Sequence, residues 1–560
     1  MNRQNCPPLI VVFSLIASVG SLLSSACAAE WLDPTGIDGS LVIAGGGKLP
    51  DVITQKFIEL GGGEKAKLVI VPTAGTDADD PEKHDSILER WRDLKAESVT
   101  LVHTRDRATA DSDEFLEPLR RATAVWFTGG SQTRIAEAYV GTKFEQALQA
   151  VLERGGVVGG SSAGAAIQSR LMIASGNPVP ELKQGFDLLP GAVIDQHFLK
   201  RNRQPRLIKA LSENPGHFGI GIDEGTAVIV RGRSIHTLGD STATIMLAAG
   251  AGRPLREFVL KSGDRADLTA LRRAARDRTA EQPFPAAAPH PVHVASGSLM
   301  IIGGGGMTPL MVRTFIDLAG GPDAKIAILP VSSAQAQRSG EGMKRFLVSQ
   351  GARNVSVLPQ AKRDEVESDE FLDVLANAGG LWFGGGRQWR FMDAYEGTRA
   401  ESLLHAVLKR GGVIGGSSAG ASIQSEYMVR GNPLGNTDMM AAGYERGLGF
   451  LPGAAIDQHF TQRRRHADLH SVIARFPQLL GIGIDETTAI VVRGHMAEVL
   501  GRHDVYFIDH QPNLFHDGDA LYPTRVGPGG VFDLQLRRTI RPAMPLLPEN
   551  KPRRRKQGTN

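Results

Sequence analysis

The chain repeats itself. The stretch GGVVGGSSAGAAIQS at 155–169 returns as GGVIGGSSAGASIQS at 411–425, DQHF at 195–198 returns at 457–460, and GIGIDE at 219–224 returns at 481–486. The two serines Ser162 and Ser418 are 256 positions apart and the two histidines His197 and His459 are 262 apart, so the second copy carries six extra residues between them. A period this long is a duplicated domain rather than a solenoid. Two cores also suit 560 residues, which are too many for one. The first domain is expected over 38–262 and the second over 296–542. Between them, 263–295 holds a charged helical stretch and then a Pro/Ala-rich run ending at Pro291, read as a semi-rigid linker. His290 and His293 in that linker read as a solvated pair.

Within each copy, short apolar runs alternate with helical stretches. In the first, Leu41 to Ile43, Lys67 to Val71, Val125 to Phe127 and Val157-Val158 are predicted as buried parallel strands, and Ser86 to Ala96 and Lys143 to Arg154 as helices. Alternation of this kind predicts an α/β fold, here two tandem doubly wound parallel-sheet domains. The glycines Gly45 to Gly47 and Gly303 to Gly306 fit neither a dinucleotide fingerprint nor a Walker A loop, and are read as tight turns.

Arg3, an apolar run from Leu9 to Leu23 and the small residues Ala26, Cys27, Ala28 and Ala29 follow the order of a secretory signal, so 1–29 is expected to direct export to the periplasm or medium. A lipoprotein signal using Cys27 is the alternative, with Ser24 where a large aliphatic residue is preferred. The only cysteines, Cys6 and Cys27, lie in this segment; its removal would leave neither disulfides nor thiolate metal sites. No metal or other cofactor is expected. A balance of 63 Lys+Arg against 60 Asp+Glu points to neither nucleic acid nor a membrane as partner. The basic run at 553–556 lies in a tail, 543–560, read as solvated.

Each copy has Gly-x-Ser-x-Gly after a short apolar strand and before a helical run. That spacing suits a serine on a sharp strand-to-helix turn, where flanking bulk would block the fold-back. A serine hydroxyl needs a base. His197 and His459, each in Asp-Gln-His-Phe at the end of an apolar run, are the candidates.

Taken together, the Ser-Ala-Gly-Ala turn, Asp-Gln-His-Phe, the arginines spaced after it and Gly-Ile-Gly-Ile-Asp-Glu resemble cyanophycinase and its relatives in peptidase family S51, twice over. The resemblance implies a class I glutamine-amidotransferase-like fold and a serine exopeptidase that cuts cyanophycin, a poly-aspartate carrying arginine on its β-carboxyls, to β-Asp-Arg dipeptides. It implies Ser162 as nucleophile and His197 as base, with Gln132, Asp195, Gln196, Arg201, Arg203 and Arg206 binding substrate. The arginines would fork onto carboxylates and Asp195 would meet a guanidinium. In the second copy Ser418, His459, Gln388, Asp457, Gln458, Arg463 and Arg465 match, but Asp468 stands where Arg206 stands, which makes the first domain the better-matched half. An orienting acid is implied between serine and histidine; Glu181 is the glutamate available there in the first copy, and Asn436 lies nearest in the second, with Glu426 and Glu445 as poorer substitutes. Two other readings stay open, a dipeptidase of the same family acting on aspartyl or isoaspartyl peptides and a non-catalytic polymer-binding protein with decayed sites. An intramolecular pseudo-dimer or a homo-oligomer is compatible with the duplication.

Overall fold

A computed structural model describes residues 32–510 and 523–543. The expected export segment and all but the first residue of the basic tail lie outside them. Each half is built on one large mixed sheet. In the first half, Ile37–Ala44, Val157–Ser161, Ala124–Phe127, Lys67–Val71 and Ser98–Leu101 run parallel, in that order across the sheet. On the other side of Ile37–Ala44, the strands Thr226–Gly232, Ser234–Gly239 and Arg265–Asp267 continue it antiparallel to eight strands. The second half repeats the plan with nine, from Asn354–Val357 at one edge to Arg538–Arg541 at the other.

The parallel strands read as unbroken apolar runs because both their faces are covered. Along Ile37–Ala44, Leu41 and Ile43 enter one hydrophobic cluster while Val42 and Ala44 enter another on the opposite face. Helices supply the covers. Lys143–Glu153 buries Phe144, Leu148, Val151 and Leu152, a spacing that puts all four on one stripe.

The histidine strands belong elsewhere. Ala192–Gln196 pairs parallel with Phe218–Ile222 in a separate four-stranded sheet, and its counterpart Leu451–Gln458 lies in a five-stranded one. Each half therefore has a second sheet where the sequence pattern predicted one, and the first half adds a two-stranded ribbon of Leu171–Ser175 with Glu181–Gln184. They meet where the chain leaves Phe218–Ile222, turns through Asp223, Glu224 and Gly225, and enters Thr226–Gly232 of the large sheet.

The segment expected to be a linker is instead part of the folded body. Arg265–Asp267 is the edge strand of the first large sheet, and Asp267 then caps the helix Leu268–Arg276 by accepting from the Ala270 amide at 2.8 Å. That helix packs between the halves. Arg273, which is buried, pairs with Glu396 and Asp393, and Arg276 reaches Glu396 at 3.0 Å. Nearby, Arg233 donates to Asp393 at 2.7 Å and to the Tyr444 hydroxyl at 2.8 Å. The stretch that reads along the chain only as charged and helical thus buries Arg273 against carboxylates of the other half, while Arg272 donates to the Asp33 carbonyl of its own half at 3.0 Å. His290, expected to be solvated, is half-exposed and pairs with Glu426 at 2.8 Å.

Candidate active site

The strand Val157–Ser161 ends on Ser162, whose backbone sits at φ 55° and ψ −108°, and the helix Ala163–Ala166 starts at once. Ser418 adopts 57° and −113° between Val413–Ser417 and Ala419–Ser422. Such conformations cost about 1–3 kcal/mol and persist only where the surroundings enforce them. The flanking glycines do so by close approach: a Cβ on Gly160 would run into the Gly164 carbonyl, and one on Gly164 into the Phe127 carbonyl. The result lifts the serine hydroxyl off the end of the sheet.

The imidazole arrives from the other sheet. His197 Nε2 lies 2.9 Å from Ser162 Oγ, and its Nδ1 lies 2.6 Å from Glu224 Oε1. In the second half the same atoms of His459 lie 2.9 Å from Ser418 and 2.5 Å from Glu486. Each histidine has positive φ, 47° and 51°, and donates its amide to the end of the first strand, at Gly45 and Gly303. Lys200 and Thr461, just beyond, donate their amides to Asp223 and Asp485, so the aspartate of Gly-Ile-Gly-Ile-Asp-Glu pins the turn while the glutamate meets the ring. Burial pulls both imidazoles below their ordinary pKa, opposed by the adjoining glutamate, and Arg201 or Arg463 pulls further down. A neutral imidazole between a hydroxyl and a carboxylate can take the hydroxyl proton and be stabilised as its cation.

The glycines after the first strand are more than turns. Gly46 sits at φ 109° with its Cα against the His197 ring, and a Cβ there would land on the imidazole; Gly304 stands identically to His459. A cavity of about 450 Å³ opens over the first serine, lined among others by Ser162, His197, Gly129, Arg90, Trp91 and Trp126. Among the described residues no main-chain acceptor takes the N–H of Gly129, which lies beside Ser162.

The model of peptidase family S51 matches residues 41–238 and again 299–500. The chain belongs to peptidase family S51. It is a serine-type peptidase by that membership, with one S51 domain in each half. The cyanophycinase of Geminocystis herdmanii (strain PCC 6308) is 32% identical over 203 residues, which is 35% of this chain and 74% of that protein. The cyanophycinase of Synechococcus elongatus is 35% identical over 221 residues, 37% of this chain and 67% of the relative. Among solved structures, a peptidase from an acI-B1 Actinobacterium aligns at 20% identity and TM-score 0.34, covering 44% of this chain and 98% of its own. A putative peptidase E protein from Listeria monocytogenes EGD-e aligns at 19% and 0.31, covering 37% and 99%.

Around the S51 serines, the residues singled out by motif fall into four groups. Ser162, His197, Ser418 and His459 come together as described. Gln132 and Gln388 are buried, each donating its side-chain amide to two carbonyls, Ile173 and Ala174 in one half and Val429 and Arg430 in the other. Arg203 and Arg465 hold the carbonyl and side-chain oxygens of Gln196 and Gln458. Of the residues expected to bind substrate, only Arg201 and Arg463 stand exposed.

Three expectations need correction. Glu181 is on an exposed strand and accepts from Ser175 Oγ at 2.6 Å; both nitrogens of His197 are engaged by Ser162 and Glu224. In the second half Glu486 takes that place, whereas Glu426 bonds the Gly453 amide and Glu445 pairs with Arg253. The carboxylate on the imidazole thus follows the histidine by 27 residues in each copy. Its signal was present, since Glu224 and Glu486 close the repeated Gly-Ile-Gly-Ile-Asp-Glu. Next, Arg206 is not a free fork. It is buried and spends Nε (2.7 Å) and Nη2 on the two oxygens of Asp195, which is likewise unavailable to a substrate guanidinium. Finally, Asp457 is engaged in the same way, by Arg465 at 2.9 Å and by Arg430, a residue no motif had marked.

Proposed function

We propose that this protein is an exported cyanophycinase-like serine exopeptidase, releasing β-Asp-Arg dipeptides from cyanophycin. The observation that carries the reading is the complete hydroxyl–imidazole–carboxylate array in an S51 domain, Ser162–His197–Glu224, beside an exposed arginine and an open cavity. Ser162 Oγ attacks the substrate amide carbonyl while its proton passes to His197 Nε2. Glu224 accepts the Nδ1 hydrogen bond and stabilises the imidazolium. The tetrahedral oxyanion takes hydrogen bonds from the N–H groups of Gly129 and Ala163, the latter at a helix start. Collapse breaks the C–N bond, and the amine leaves with the proton held on His197. Water then attacks the acyl-serine with the same base, returning the free carboxylate and Ser162.

Arg201 supplies the cation for a substrate carboxylate, since Arg203 and Arg206 are committed to the protein. The relatives named cyanophycinase support the substrate. Residues 1–29 support export, to be tested by sequencing the N-terminus of protein recovered from the cell exterior. The deciding experiment incubates purified protein with insoluble cyanophycin and identifies products by mass spectrometry. Dipeptide release that falls by about 10⁶-fold in Ser162→Ala/Ser418→Ala supports the reading. Isoaspartyl-peptide cleavage without polymer release would replace the substrate, and undiminished release by the double variant would remove the mechanism.

A further inference from the structure

The loss of Arg206 in the second half looks, along the chain, like a lost substrate clamp. In space it is an exchange. Gln132 donates to the carbonyls of Ile173 and Ala174, and Gln388 to those of Val429 and Arg430, so Ala174 and Arg430 occupy one position of the two halves. Arg203 and Arg465 each follow their histidine by six residues and hold the same glutamine, which sets Arg206 and Asp468 at one position too. The first half thus has alanine and arginine where the second has arginine and aspartate.

Both pairs serve one buried carboxylate. Arg206 engages both oxygens of Asp195, and its Nη1 donates to the Gly176 carbonyl at 2.9 Å. Arg430 engages both oxygens of Asp457 through Nε (3.1 and 3.3 Å), reaches it again through Nη2 at 3.1 Å, and donates Nη1 to the Asn436 carbonyl at 2.9 Å. Asp468 accepts from Arg430 Nη2 at 2.6 Å. Arg206 and Arg430 are equally buried, at 4% exposure. The guanidinium comes from the helix after the histidine in one half and from the segment after the nucleophile helix in the other, yet ends on the same aspartate. That aspartate lies two residues before the base, so its ion pair holds the strand end from which the imidazole projects.

We infer that Arg430 is the positioning residue that replaces Arg206, and that the second half is consequently a competent hydrolytic centre rather than a decayed one. The inference rests on the serine-peptidase reading above and deepens it. Asp468 restrains the relocated guanidinium and takes no part in substrate exclusion.

A fluorophosphonate probe on the full-length protein, with the modified peptides quantified by mass spectrometry, reads Ser162 and Ser418 separately in one sample. In the unaltered protein both serines are expected to label, within about tenfold of each other. Arg430→Ala is expected to slow Ser418 by about tenfold or more and leave Ser162 unchanged, with Arg206→Ala doing the reverse. Arg206→Asp is expected to silence Ser162, and Ala174→Arg/Arg206→Asp, which transplants the second-half arrangement, to restore it to within about threefold. That recovery is a gain, so a variant that merely unfolds cannot produce it. Ser162 labelling with Ser418 inert overturns the inference and leaves the proposed function standing in the first half. A double variant no better than Arg206→Asp also overturns it. Labelling of neither serine overturns the serine-peptidase reading itself, and the inference with it.

Discussion

At the scale of single residues, the assignment of the acid is sharply testable. Glu224 bonds the imidazole at 2.6 Å, whereas Glu181 bonds only local groups on an exposed strand. Replacing an orienting carboxylate by its amide leaves the shape but favours the wrong tautomer, at a cost of about 10⁴ in kcat. With Ser418→Ala as background, Glu224→Gln should therefore lose about 10³–10⁴ of peptidase turnover while Glu181→Gln stays within about twofold. The base makes a second prediction. His197 must be neutral to accept the serine proton, and burial lowers its pKa, so neutrality is reached at lower pH than for a free imidazole. The acid limb of kcat/KM should have its midpoint below the ordinary value of 6.5. Arg201 contributes to that depression, so Arg201→Gln should move the midpoint to higher pH. A midpoint that stays still would separate Arg201 from the base.

At the scale of elements, the site exists because three segments end at one place. The first strand ends in glycines, the nucleophile strand ends in the strained serine, and the histidine strand of the second sheet ends against both. Gly46 is the point of contact, with no room for a Cβ between its Cα and the His197 ring. Gly46→Ala should push the imidazole off the serine, and displacements near 1 Å cost about 10²-fold. Labelling of Ser162 should drop by that order with Ser418 unaffected, because Gly304 serves the other site. Equal labelling of both serines in this variant would show that the ring has space to move.

The contact between the halves includes ion pairs with buried members. Arg273 is buried with Glu396 and Asp393, and its loss leaves carboxylates short of a partner in the contact. Removing one member of a buried pair typically costs about 3–5 kcal/mol. Arg276 remains on Glu396, so the lower end, about 3 kcal/mol, is expected for Arg273→Ala. Arg121→Ala, which breaks an exposed pair with Glu117, should stay within about 0.5 kcal/mol. Urea unfolding followed by circular dichroism distinguishes them, and indistinguishable midpoints would mean that the halves do not depend on this contact.

What the sequence determined on its own was everything that depends on local pattern and on repetition. Unbroken apolar runs announced strands buried on both faces, Gly-Ser-Ser-Ala-Gly announced a turn too tight for side chains, and the doubled motifs marked Ser162 with His197 and Ser418 with His459. The family resemblance followed from those motifs and holds. What only the tertiary structure decided was which charged groups meet. Glu224 faces His197 because the chain crosses from one sheet to the other at that residue, and no spacing between serine and histidine encodes the crossing. Arg273 and Arg276 find carboxylate partners only because the other half brings Asp393 and Glu396 to them. Arg430 is invisible as a substitute for Arg206 because the two guanidinium groups reach the same carboxylate from different segments. Apolar burial follows a periodicity that one dimension records, whereas an ion pair depends on where two side-chain ends meet in three.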